Sequence, residues 1–266
     1  MKEDESVSVV AGERTMITSP QTMSAVEAGK YYYETKEHTA EWGGRLSEML
    51  YLKSNITQKH LFLTLINGYD QDGWQLVENA GDPKRRAGVN YTFTLSKNLS
   101  ILAMNDSRIL DAFRESVKET LSIMEEQYAE TRTRVKGEGR IIEKTGNMIY
   151  ALFTHYTNRN LDPSVHIHAF IHNYTMDKNG TIKSMEYRDM FANKTYMGAL
   201  QENILAQKVR ALGYELDINR SKEIDKKAAE LRTKSPCMSE KDLKDLRRLA
   251  EKTTRARKEH NPTAKN

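Results

Sequence analysis

The chain has almost no cysteine: Cys237 is the single one among 266 residues. One thiol excludes an internal disulfide framework and a cysteine-built zinc ribbon, and a reducing cytoplasm is the simplest compartment for it. Long apolar runs are also missing. No stretch approaches the ~18 consecutive apolar residues of a membrane span, so no membrane insertion is expected. The opening "MKEDESVSVVAGERT" is acidic and polar rather than basic then apolar, which does not read as a secretory signal. There is no internal repeat, and no GxxxxGK[ST] loop, so this stretch carries no sign of an ATPase motor. Net charge is also modest, +4. The basic residues are clustered, at 84–86, 132–140 and 247–258, where they could neutralise phosphates or simply solvate a surface.

Hydrophobic residues make up 38% and charged residues 29% of the chain, enough for one core under a charged surface. Residues 1–14 read as a disordered leader. A turn at Ser19-Pro20 precedes a helix through "AVEAGKYYYETKE", then two short helices in "GGRLSEMLYLKSN" and "TQKHLFLTLING". The segment 76–88 reads as a loop, and "VNYTFTLS" alternates as a strand. Asp106 is a fair N-cap for a long helix whose apolar stripe is Leu110, Phe113, Val117, Leu121, Met124 and Tyr128. A basic turn "RVKGEGR" follows. The strands "MIYALFTHYT" and "VHIHAFIHNYTM" flank turn residues, and "DKNG" makes a hairpin turn into "TIKSMEY". A second long helix spans about Ala192 to Leu212 and stops at Gly213. Beyond Asp217 the sequence becomes two charged helices with thin apolar stripes, split at Ser235-Pro236.

Three of seven histidines fall in "VHIHAFIHN" at even positions, 166, 168 and 172. Alternation puts them on one strand face with Phe170. His172 lies ~20 Å from His166 at the rise of a strand, too far to share an ion, and reads as a core histidine. A turn centred near residues 160–161 would bring His155 opposite His166, with Cβ atoms ~5 Å apart. His155, His166 and His168 would then form a three-imidazole face with coordination positions open, as a catalytic metal needs. The ordinary reading, histidines hydrogen-bonded on a half-buried strand, stands beside it. Tyr31, Tyr32 and Tyr33 form a second cluster. They read either as packing or as hydroxyls able to attack phosphorus and leave a phosphotyrosine ester.

"HIH" is a histidine–hydrophobic–histidine (HUH) motif. With "TGNMIYALFTHYTNRNLDPSVHIHAFIHN", "SAVEAGKYYYE", "EWGGRLSEML" and "NYTFTLSKNLSILAM", the chain resembles the relaxase domain of TrwC/TraI-type (MobF) conjugative proteins, from about residue 16 onward and most closely over 145–173 and 196–216. The resemblance implies an α+β fold, a central antiparallel sheet flanked by helices, with a helical C-terminal extension. On this reading residues 15–218 are the relaxase domain and 219–266 its charged extension. It implies a metal-dependent nickase of bacterial cytoplasm that cuts single-stranded DNA at an origin of transfer and stays joined to the 5′ phosphate through tyrosine. By that resemblance His155, His166 and His168 are the metal ligands, for Mg²⁺ or Mn²⁺ first and Zn²⁺ second. Tyr31 and Tyr32 are the first tyrosine pair, with Tyr31 first. Lys84, Arg85, Arg86, Lys97 and Arg159 lie along the DNA. Expected partners are relaxosome accessory proteins, a separate helicase and a type IV secretion coupling protein.

The sequence departs from the family at three points. The family strand Gly-x-Asp-x-Thr-Phe-Ser reads "GVNYTFT" here, so Asn90 stands at an aspartate assigned to tyrosine deprotonation. An amide can orient an imidazole but cannot take a proton. The second tyrosine pair is missing after "YYYETKEHTA", and where the family usually continues into a helicase this sequence ends at Asn266, as a stand-alone relaxase or a fragment would. Alternatives are therefore a degenerate origin-binding module, a replication or transposition HUH nuclease, and an unrelated three-histidine hydrolase.

Overall fold

A computed structural model describes residues 8–10, 16–17, 20–33, 40–52, 59–135, 139–158 and 160–217. In chain order the first half comprises β1 (Ser8–Val10), β2 (Met16–Ile17), β3 (Gln21–Ser24), α1 (Ala25–Tyr33), β4 (Ala40–Gly43), α2 (Arg45–Met49) and α3 (Lys59–Asn67). β5 (Arg86–Thr94), α4 (Lys97–Asn105), α5 (Ser107–Tyr128), β6 (Glu130–Val135) and β7 (Gly139–Lys144) follow. The rest is β8 (Tyr150–Thr157), β9 (Pro163–His172), β10 (Thr175–Met176), β11 (Ile182–Lys183), β12 (Met185–Glu186), α6 (Arg188–Ala192), α7 (Lys194–Ala211) and β13 (Glu215–Asp217).

The main sheet is antiparallel, in the order β2-β5-β9-β8-β4, with β3 also pairing β5. Period-two alternation sends the side chains of its central strands into two separate cores. On one face Val89, Tyr91, Phe93, Ile167, Ala169, Ile171 and Leu152 pack against Phe113, Val117 and Leu121 of α5 and Val209 of α7. On the other, Ala87, Phe170, Ala151 and Phe153 pack against Ala28 and Tyr32 of α1 and Phe62, Leu65 and Ile66 of α3. This is the α+β architecture expected, helices covering both faces of an antiparallel sheet.

α5 begins where Asp106 accepts from Arg108 N at 3.0 Å, and its expected stripe is buried except for the half-buried Leu110. α7 stops at Gly213, whose φ of +94° lets its N–H reach Arg210 O at 2.9 Å. The β10–β11 hairpin turns through Asp177–Gly180, as its "DKNG" predicts. The structure adds elements the patterning did not separate. Arg134 and Val135 of "RVKGEGR" pair with Arg140 and Gly139 at the end of the β6–β7 hairpin, and Lys97 opens α4. Within the supposed disordered leader, Ser8–Val10 instead forms β1, parallel to β13, as two consecutive β-branched valines favour. No helix of the described residues is long and apolar enough to cross a membrane. The two charged helices expected beyond Asp217, and the extension they form, lie outside the described residues.

Candidate metal and tyrosine site

α1 places the tyrosines because its start is fixed by a capping box. Ser24 Oγ accepts from Glu27 N at 3.2 Å, and Glu27 Oε2 accepts from Ser24 N at 2.8 Å. Two turns later Tyr31 and Tyr32 leave the helix on different sides. Tyr31 is 40% exposed, whereas Tyr32 is 5% exposed and stacks on Phe153 with ring centroids 4.2 Å apart. Burial pushes the Tyr32 hydroxyl well above the ordinary phenol range, with the neighbouring Tyr31 adding to the rise. Of the pair, only Tyr31 is accessible to a substrate. The Tyr33 side chain lies outside the described residues.

The histidines come from the β8–β9 hairpin. Its turn is held by Asn158 Oδ1, which accepts from Asn160 N at 2.8 Å and Asp162 N at 3.0 Å, with Leu161 at φ +64°. That closure sets the register His155↔His166, the pairing expected from the sequence. One potential ligand nitrogen from each of His155, His166 and His168 lies within 4.8 Å of the others. The donor set suits a divalent ion: three imidazole nitrogens on one face, with His155 and His166 half-buried. His166 Nδ1 donates to Ser164 O at 2.8 Å. A carbonyl only accepts, so the proton sits on Nδ1 and Nε2 presents its lone pair.

His168 is held from both sides. Its Nε2 lies 3.0 Å from Tyr31 Oη. Its Nδ1 lies 3.1 Å from Thr92 Oγ1 and 3.2 and 3.3 Å from Asn90 Nδ2 and Oδ1. Asn90 in turn accepts from Tyr32 Oη at 3.1 Å. Thr92 was not singled out from sequence. It sits two residues beyond Asn90 on the same strand face, opposite His168, so period-two alternation carried the signal.

The basic residues separate. Lys97 is at the triad end of the sheet, where its Nζ donates to Pro163 O at 3.0 Å. Lys84 and Arg86 are exposed, but Arg86 precedes Thr92 by six residues on β5, ~20 Å away at the rise of a strand. Arg85, expected along the DNA, is a core residue: it is 2% exposed, donates to Ile66 O and lies over the Tyr174 ring with Cζ 5.3 Å from its centroid. Its place in a basic run hid the fact that the bend before β5 turns it inward between two exposed neighbours. Arg159 lies outside the described residues. His172 is fully buried among Trp42, Phe62, Phe170 and Tyr174, away from the triad as expected, and burial pushes its imidazole down to about 3.

A family model described as TrwC relaxase matches residues 14–266. The multifunctional conjugation protein TraI of Escherichia coli (strain K12) is 31% identical over 221 residues, covering 76% of this chain. This chain spans 12% of the length of that relative. Among solved structures, the conjugative relaxase TrwC in complex with oriT DNA, in a metal-free form, aligns with a TM-score of 0.68 at 26% identity, covering 88% of this chain and 90% of that one. The metal-bound structure of that complex gives the same TM-score and identity. With the family matched across nearly its whole length, this chain belongs to the TrwC relaxase family.

Proposed function

We propose that this chain is a conjugative relaxase, a metal-dependent nickase that cuts one strand of DNA at an origin of transfer through Tyr31. The observation that carries the reading is the meeting of an exposed tyrosine hydroxyl with a three-histidine face, Tyr31 Oη lying 3.0 Å from His168 Nε2. His155, His166 and His168 hold the ion, Mg²⁺ or Mn²⁺ first and Zn²⁺ second. When bound, the ion polarises the scissile phosphate and takes up charge developing on its oxygens. Tyr31 Oη attacks phosphorus, the bond to the 3′ oxygen breaks, and that oxygen leaves as a hydroxyl while a 5′-phosphotyrosine ester forms. The ester retains the bond for later rejoining. Lys97, near the triad, meets a phosphate, with Lys84 and Arg86 contacting DNA farther away; the position of Lys97 beside Pro163 supports this reading. The DNA-bound TrwC structures support DNA as the partner. Accessory proteins, a helicase activity and a secretion coupling protein are the further partners that family membership suggests.

The test is a cleavage assay with Mn²⁺ on a single-stranded oligonucleotide spanning the element's nick region, labelled 3′ of the nick. The wild type is expected to give a metal-dependent covalent protein–DNA band that Tyr31→Phe and His166→Ala lose. Cleavage without an adduct would replace the reading with a plain metal hydrolase. A second reading, an origin-binding module that does not cut, draws on Asn90, whose amide cannot accept the tyrosine proton. Under the leading reading, Asn90→Asp cleaves at least tenfold faster, an order-of-magnitude expectation for restoring a carboxylate behind the metal ligand His168. Equal rates in the two proteins would show that Asn90 does not limit the reaction.

A further inference from the structure

We infer that Tyr32 is a positioning residue, whose buried hydroxyl anchors the Asn90 amide and through it sets the His168 ring that faces Tyr31. This rests on the reading of the triad as a metal site. The chain of contacts is continuous. Tyr32 Oη donates to Asn90 Oδ1 at 3.1 Å, the Asn90 amide lies 3.2–3.3 Å from His168 Nδ1, and His168 Nε2 lies 3.0 Å from Tyr31 Oη. Tyr32 is itself held firmly, stacked on Phe153 and edge-on to Phe62 and Phe170. A buried ring so clamped cannot swing out to a phosphodiester, but it can hold a neighbour still.

The need for such an anchor follows from the amide. A carboxylate at position 90 would only accept, so it would hold the His168 proton on Nδ1 unaided and leave Nε2 free to ligate. An amide presents an acceptor and a donor, and both lie within reach of Nδ1 here. If Oδ1 receives the Nδ1 proton, Nε2 offers a lone pair to the ion. If Nδ2 donates to Nδ1 instead, the proton moves to Nε2 and closes the ligand position. The Tyr32 hydroxyl donates to Oδ1 and so keeps the carbonyl end in place. Removing it frees the amide to turn.

The experiment compares wild type, Tyr32→Phe, Asn90→Asp and the double variant. Mn²⁺ affinity is measured by calorimetry, and the His168 tautomer in metal-free protein by ¹⁵N–¹H multiple-bond NMR. Phenylalanine keeps the stack and removes only the hydroxyl. Tyr32→Phe is expected to weaken Mn²⁺ binding about tenfold, as loss of a partner behind a metal ligand does, and to raise the Nε2-protonated tautomer. In the Asn90→Asp background the same change should have little effect, because the carboxylate needs no anchor. With Tyr31 intact, Tyr32→Phe should still form the covalent adduct, at higher Mn²⁺. An unchanged affinity and tautomer in Tyr32→Phe would overturn the inference. So would an equal loss in both backgrounds, or an adduct lost with Tyr32→Phe and kept with Tyr31→Phe. Should Tyr32→Phe fail to fold, Asn90→Ala breaks the same chain from its middle and must also weaken Mn²⁺ about tenfold; undiminished binding there would overturn the inference. The metal and NMR readouts need no DNA. A wild type that forms no adduct would therefore count against the relaxase reading while these readouts still decide the role of Tyr32.

Discussion

At the scale of single residues, identical chemistry takes different roles because burial differs. Tyr31 and Tyr32 are adjacent and identical in type, yet one faces the triad and the other closes an aromatic core. Arg85 and its neighbours Lys84 and Arg86 divide the same way. Arg85→Ala is expected to cost about 2–4 kcal/mol of stability in urea titrations, through a cavity and an unpaired Ile66 carbonyl. The same change should leave the salt dependence of DNA binding as it was. His172 links folding to pH. Its imidazole falls from 6.5 to about 3 in the folded protein, so between those values the unfolded chain binds the extra proton. The stability from keeping it neutral is complete above pH 6.5 and is lost as pH falls toward 3, with a slope of at most about 1.4 kcal/mol per pH unit. Thermal melts of His172→Leu across pH 4–7 should show a flatter acid limb than wild type, on the scale of that slope. An unchanged limb would place the acid sensitivity elsewhere.

At the scale of elements, the β8–β9 hairpin does most to build the site, and it was also the most legible part of the sequence. Its turn residues, its alternation and the spacing from His155 to His166 all specify one register, and the structure has that register. The long stripe of α5 was equally plain. Less legible were features decided by contacts distant in sequence. β4 is four residues long and exists by pairing with β8. The inward turn of Arg85 depends on the carbonyl of Ile66 on α3. The anchoring of Asn90 depends on Tyr32, 58 positions away. Local pattern specifies faces and ends, while partners across the sheet decide which polar groups are enclosed. β5 and β9 also approach closely at Gly88, where an added Cβ would collide with the Ile171 carbonyl oxygen and the Phe170 ring. Gly88→Ala should therefore destabilise the fold by roughly 2–4 kcal/mol by forcing these two central strands apart. A urea midpoint equal to wild type would contradict that tight approach.

At the scale of the whole molecule, the two cores clamp one sheet between α5 and α7 on one face and α1 and α3 on the other. Tyr31 belongs to a helix and the three histidines to the sheet beneath it, so packing in the second core sets the distance between them. Net charge is small at +4, and affinity for DNA should come from local clusters. The affinity should fall log-linearly with salt, by a slope near −0.7 for each phosphate neutralised on a single strand. The central claim is that Tyr31 becomes covalently joined to DNA. Its most direct test is mass spectrometry of the protease-digested adduct formed with Mn²⁺ and the nick-region oligonucleotide. A nucleotide mass on the peptide carrying residues 31–33, with fragment ions locating it at Tyr31, is the predicted result. The same mass at Tyr32 or Tyr33, or cleaved DNA with no modified tyrosine, would contradict the account.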